Sequence, residues 1–184
     1  METGHIITCT FETPVGAMVL GSFNDALCLC DWPYRRSRKA VDERIQRGLD
    51  AHVRVGSSAV IEEAMIQLEA YFKGTRQTFD LPIRMVGTEF QQRVWKALLD
   101  VPYGSTTTYA DLTATIAGPT AIRAVASANG ANALSIIVPC HRIIGSDGAL
   151  VGYAGGVPVK RRLLQLERAI AGASAPDLFN GVPA

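Results

Sequence analysis

The chain has 184 residues, 48% hydrophobic and 19% charged, a composition that builds a packed core and excludes long disorder. Lysine and arginine number 18 against 17 aspartate and glutamate, so the net charge of +1 excludes a nucleic-acid binder that works by bulk charge alone. No apolar run approaches the ~18 residues of a membrane span, and the start of the chain lacks the charged and apolar regions of a signal peptide; neither membrane nor leader is expected.

The first half opens with strand-like runs. Ile6 to Phe11 is rich in β-branched and aromatic residues, Thr13-Pro14-Val15-Gly16 reads as a turn, and short strands are predicted over Ala17–Gly21 and Ala26–Trp32 around Asn24-Asp25. Hairpin spacing predicts a small antiparallel sheet. Arg35 to Asp50 is highly charged and reads as a solvated loop or helix. Ile61, Met65, Leu68 and Phe72 recur at helical spacing before a stop at Gly74. Residues 74–87 connect a first unit, 1–84, to a second, 85–184.

The second half reads as helices. Thr88 and Gln91 match a capping box ahead of the stripe Phe90, Val94, Ala97 and Val101. Thr108 and Asp111 offer another cap before Leu112 and Ile116. Gly118-Pro119 breaks the chain and starts a helix with Ile122, Val125 and Ala126 on one face, ending at Gly130. Two short helices joined by a tight turn make a helix-turn-helix candidate, as well as an ordinary helical hairpin. The run Ser135–Val138 precedes Pro139-Cys140-His141-Arg142. After the turn Gly145-Ser146-Asp147-Gly148 and the glycine-rich stretch 152–156, a last helix starts near Pro158 with Val159, Leu163, Leu166 and Ile170 as its stripe. The fold class is α+β.

The thiols are Cys9, Cys28, Cys30 and Cys140, too few for a disulfide scaffold, which points to a reducing, cytoplasmic compartment. Cys140 stands out. A nucleophilic thiol needs a neighbour to take its proton, and His141 follows directly; a carboxylate to orient the imidazole is offered by Glu167 on the last helix. A buried structural thiol is the alternative. Arg123 stands alone among small residues, Ala121 to Ala128. Such a bare helix suits close approach to the minor groove, with one arginine filling a gap in a base stack, or simple helix-on-helix packing. Arg35, Arg36, Arg38 and Lys39 lie near Asp42, Glu43 and Asp50 and read as a solvated face. Lys160, Arg161 and Arg162 are better placed to meet phosphates.

These stretches resemble the O6-alkylguanine-DNA alkyltransferase family. The matches are Phe90-Gln91-Gln92-Arg93-Val94-Trp95, Val101-Pro102-Tyr103-Gly104, Arg123-Ala124-Val125, Asn132, Ile137 to Arg142, Gly152 to Gly156 and Leu163 to Glu167. Thr13 to Gly16 and Tyr71 to Gly74 resemble the family's N-terminal part more loosely. The resemblance implies a ribonuclease-H-like α/β domain over 1–84 and, over 85–184, a winged-helix-like domain that binds DNA and accepts the alkyl group. It implies transfer of an alkyl group from O6-alkylguanine, or O4-alkylthymine, in double-stranded DNA to Cys140, once per molecule. His141 would relay the proton through water, Glu167 would hold the histidine, and Asn132 would fix the turn behind the active-site strand. Tyr109, Arg123, Ala124, Ser127 and Ala128 would meet DNA; Tyr109, Ile143, Tyr153 and Ala154 would line the base pocket. No cofactor and no obligate protein partner are implied. Some relatives bind zinc near the N-terminus, but His5, Cys9, Cys28 and Cys30 do not reproduce a ligand set and are expected to pack without metal. A non-transferring binder of alkylated bases lacks the acceptor thiol, and a cysteine hydrolase leaves Arg123 unexplained.

Overall fold

The computed structural model describes residues 4–169. Strands β1 (Gly4–Phe11), β2 (Met18–Phe23) and β3 (Ala26–Asp31) form an antiparallel meander. Asn24 and Asp25 take φ of 47° and 59°, left-handed values that suit a two-residue hairpin turn and that Asn and Asp tolerate better than other side chains. The sheet is mixed rather than antiparallel. A fourth strand, β4 (Ala51–Val55), pairs parallel to β1, giving the order β3-β2-β1-β4. The helix before it, α1 (Arg38–Leu49), carries the chain back across the sheet, so β4 enters running with β1. Only Ala51 of β4 is buried, so this edge strand has no apolar alternation for the sequence to display.

The highly charged stretch 35–50 is therefore mostly helix. Val41 and Ile45, one turn apart, pack on the sheet face carrying Ile6 and Leu29. Helix α2 (Ala59–Phe72) is capped by Ser58, whose hydroxyl accepts from Ile61 N, and buries Ile61, Ala64, Leu68 and Tyr71 with Met18 and Leu20. The core around α2 runs on without a break into the second half.

Helix α3 (Glu89–Leu99) starts on the expected capping box of Thr88 and Gln91, and buries Val94, Trp95 and Leu98. Strand β5 (Thr107–Thr108) leads into α4 (Tyr109–Ile116), capped by Thr108. A 3₁₀ turn opening on Pro119 precedes α5 (Ile122–Gly130), which packs on α3 and α4. Strand β6 (Ile143–Ile144) pairs parallel to β5, and α6 (Val157–Ala169) closes the described chain. Ile170, expected in the last stripe, lies outside the described residues.

Residues 135–138 form no strand of their own. Cys30 N donates to Ala133 O (2.8 Å) and Ser135 N to Cys30 O (2.7 Å), which ties this irregular segment to the β3 edge. Ile136 holds a φ of 72°, a costly conformation for a β-branched residue, beside Cys140 in sequence. Among the described residues no helix is long and apolar enough to cross a membrane.

Candidate active site

A cavity of about 960 Å³ opens between the N-terminal half and α5, and Cys140, Asn132, Tyr109, Arg123, Tyr153 and Ala154 are among its lining residues. Cys140 begins a 3₁₀ turn, Cys140–Arg142, and is 3% exposed. The side chain of Asn132 spans the segment that delivers it. Its Nδ2 donates to Val138 O (2.9 Å) and to Cys140 Sγ (3.2 Å), and its Oδ1 accepts from Leu134 N (2.9 Å). Burial pushes the Cys140 thiol above its ordinary value, opposed by the Asn132 hydrogen bond and the positive charges of Arg35 and Lys160. The resting thiol is therefore protonated at neutral pH, and reaction requires a base.

His141 supplies one. It is wholly buried, and Nε2 lies 2.7 Å from Glu167 Oε1. Burial works against the Glu167 anion, but hydrogen bonds and charge from His141 and Arg142 prevail and hold its carboxyl at about 2. Burial lowers the His141 pKa, against the pull of Glu167, so the imidazole is neutral at pH 7. A carboxylate can only accept, so Nε2 carries the proton and Nδ1 keeps a lone pair, for which no protein donor lies within reach among the described residues.

Glu167 is a hub that the sequence only half disclosed. It also accepts from Tyr71 Oη (2.8 Å), Arg142 Nε (3.0 Å) and Nη2 (3.1 Å), and Gly104 N (3.3 Å). Tyr71, Arg142 and Gly104 sit inside quoted motifs, yet nothing in their spacing names a common partner.

Two cations depart from expectation. Arg35 is buried, not part of a solvated face. Its Nε donates to Ser37 Oγ (2.8 Å), its Nη1 to Asp31 Oδ2 and Asn132 O (2.6 Å each), and its Nη2 to Gly130 O. Asp31 in turn accepts from Ser135 Oγ (3.3 Å). Lys160 is not free for phosphates either. It is fully buried, with Nζ donating to Ile143 O (2.5 Å) and Val151 O (2.7 Å), and burial lowers its pKa to about 8. Arg161, beside it, is exposed.

Tyr109, first residue of α4, is half-buried, and its hydroxyl accepts from Asn129 Nδ2 (3.2 Å). Arg123, Ala124 and Ser127 share an exposed face of α5. Ala128 does not join them. It lies a turn beyond Val125, is 2% exposed, and its carbonyl accepts from Trp95 Nε1 (2.8 Å), so it packs inward on α3. Ile143 is likewise no wall of the cavity. It is wholly buried in β6, behind Cys140, where its carbonyl holds Lys160. The far wall is Tyr153, edge-on to Trp32 at 5.1 Å between ring centres. Gly155 is required there, since a Cβ would come 2.8 Å from the Trp32 ring.

The other thiols are packed. Cys28 Sγ donates to Gly21 O (3.5 Å), with its pKa pushed up to about 12 by burial, and Cys30 is fully buried. Among the described residues no three His, Cys, Asp or Glu side chains converge as a metal site.

Residues 89–169 match the family described as 6-O-methylguanine DNA methyltransferase, DNA binding domain. A methylated-DNA–protein-cysteine methyltransferase of Methanosarcina barkeri is 43% identical over 156 residues, covering 85% of this chain and 93% of the relative. The constitutive enzyme of that name from Bacillus subtilis is 41% identical over 165 residues, covering 86% and 93%. A crystal structure of Mycobacterium tuberculosis OGT in complex with DNA superposes with a TM-score of 0.76 at 39% identity, covering 96% of this chain and 99% of that one.

Proposed function

The chain belongs to the methylated-DNA–protein-cysteine methyltransferase family, and on that premise we propose that it repairs alkylated guanine, and alkylated thymine, in double-stranded DNA by taking the alkyl group onto Cys140. The observation that carries the reading is a single thiol on the cavity wall, hydrogen-bonded by Asn132 and adjacent in sequence to a neutral, carboxylate-anchored histidine.

The base is flipped into the cavity between Tyr109 and the Tyr153–Ala154 wall. Cys140 gives its proton through one water to His141 Nδ1, and the resulting imidazolium is stabilised by Glu167. The thiolate attacks the alkyl carbon as its bond to the guanine oxygen breaks; guanine leaves and takes up a proton. Asn132 is a positioning residue that also donates to the sulfur. The product is a thioether, which no group here can hydrolyse, so each molecule acts once. No cofactor takes part.

Residues 85–184 form the DNA-binding and acceptor domain in this reading, and 1–84 the N-terminal domain, which shares its core and contributes Arg35 to the site. Helices α4 and α5 act as a helix-turn-helix, with Arg123, Ala124 and Ser127 against the minor groove and Arg123 filling the vacated stack. Four free thiols suit a reducing, cytoplasmic setting.

The test is the intact mass of the protein after incubation with an O6-methylguanine oligonucleotide. One methyl group per molecule, mapped to the Cys140 peptide, is expected. Methyl on Cys9, Cys28 or Cys30 overturns the assignment, complex without transfer means a binder only, and sustained release of the methyl group means a hydrolase.

A further inference from the structure

A second cavity, of about 510 Å³, lies at the other end of α1 from the candidate active site. Arg44 and Arg47 reach it from the last turns of α1, Arg84 from the connecting segment, and Thr88 and Gln92 from the start of α3; none of its lining residues is acidic. No carboxylate pairs with any of the three arginines among the described residues, in contrast to Arg38, which is held by Asp42 on the same helix. Arg44 is stacked over the Trp95 ring at 5.2 Å and donates to Ala131 O (2.7 Å), and its Nε has no protein acceptor. Burial and the nearby Arg35 charge weaken its hold on a proton, opposed in part by Asp31. Arg47 and Arg84 are exposed at the cavity mouth. Gly48 forms part of the floor, where a Cβ would come 2.5 Å from Val86, so the approach of α1 to the connecting segment depends on a bare backbone.

We propose that this arginine cavity is an anion site for a backbone phosphate of the same DNA duplex, remote from the reacting base. Guanidinium groups match phosphate in shape and donor number, and a recess with three arginines and no carboxylate favours an anion. The positive charge and the distance from the first cavity suit the duplex of the proposed function. Arg35, Arg36 and Ser37, just ahead of helix α1, lie on the first cavity, and α1 ends at Arg47 to Leu49 on the second. Its 12 residues span about 18 Å at ~1.5 Å per residue. That is roughly five base-pair steps at ~3.4 Å each, a separation that one duplex can bridge. The inference rests on the proposed function for its DNA.

The experiment compares the wild-type protein with an Arg47→Gln, Arg84→Gln double variant, both exposed positions outside the proposed catalytic and base-binding groups. Binding to an undamaged duplex of about 20 base pairs is titrated between 50 and 200 mM salt, at a slope of about −0.9 in log K per phosphate neutralised. Loss of that one phosphate contact reduces the duplex slope by about 0.9, so the fourfold salt increase costs the variant about 3.5-fold less affinity than it costs the wild type. The transfer rate from free O6-methylguanine stays unchanged. A duplex slope that moves by less than about half of one phosphate's worth overturns the inference while leaving the proposed function standing. Loss of inorganic pyrophosphate binding with the DNA slope intact also overturns it, since the occupant is then a free anion. A wild-type protein with no salt-dependent duplex binding and no transfer refutes the proposed function and this inference with it.

Discussion

Replacing Glu167 by glutamine removes one charge and almost no volume, and the consequences follow from what meets the carboxylate. Five donor groups converge on its two oxygens at 2.7–3.3 Å: Tyr71 Oη, His141 Nε2, Arg142 Nε and Nη2, and Gly104 N. Glutamine brings an NH₂ into a ring of donors, and Arg142, 6% exposed, loses its counter-charge. Breaking a buried pair on one side costs about 3–5 kcal/mol. The titration argument agrees in size. Holding a carboxyl that ordinarily titrates at 4.5 down at about 2 stabilises the fold by about 3 kcal/mol.

The sign sets the pH window. The folded value lies below the unfolded one, so the stabilisation is fully present above pH 4.5 and is lost as pH falls from there to about 2. Urea unfolding of wild type and Glu167→Gln at pH 7 is expected to differ by about 3 kcal/mol, and the gap should narrow steadily on acidification below pH 4.5. A gap under about 1 kcal/mol at pH 7, or one that does not change with acid, refutes the hub. Tyr71→Phe, which removes one neutral donor to the same charge, should cost about 2 kcal/mol.

Cys140→Ala should abolish methyl transfer and leave duplex affinity within about twofold, since the thiol lies behind the DNA-facing residues; a large loss in gel-shift affinity contradicts that placement. Arg123→Ala should slow repair of duplex DNA by roughly thirtyfold, for about 2 kcal/mol of lost support for the flipped state, at ~1.4 kcal/mol per tenfold. The rate on free O6-methylguanine should be unmoved, and equal losses on both substrates would mean that Arg123 supports the pocket. Arg35→Ala strands the fully buried Asp31 and should cost about 3–5 kcal/mol; adding Asp31→Asn should recover part of it, and strictly additive costs in the double-mutant cycle would show that the two do not act as a pair.

The chemistry-bearing residues were legible because they sit in dense local motifs. Pro139 to Arg142 announces a thiol with an imidazole, and the capping box at Thr88 and the cap at Thr108 mark helix starts by side-chain chemistry that acts over three residues. Strand β4 was not legible, because an edge strand with one buried residue carries no period. Ala128 and Ser127 are adjacent letters of similar size, yet a rotation of about 100° per residue on α5 sends one to the core and the other to the surface. The expected face included both because a run of small residues hides the phase that bulkier side chains would reveal. The charged stretch 35–50 left loop and helix open for a related reason: Val41, Ile45 and the half-buried Leu49 are the thin apolar stripe of α1, and Arg35 looks like its exposed neighbours.

The buried cations have a common logic that sequence spacing cannot express. The backbone from Gly130 to Val151 is mostly irregular, and several of its carbonyls are held by side chains. Arg35 takes up Gly130 O and Asn132 O, and Lys160 takes up Ile143 O and Val151 O. Arg142 does the same for Val101 O (2.6 Å), one chain segment away. Side chains with several donors satisfy such scattered acceptors better than any neutral residue, which is how a segment with a strained Ile136 stays fixed. The same positions place Arg35 and Lys160 where their charge lowers the Cys140 pKa against the dominant effect of burial. Holding the loop and favouring the thiolate are thus two effects of one placement. A neutral replacement at Arg35 should weaken both together, seen as lower stability and a higher pH midpoint for alkylation of Cys140 by a small free reagent.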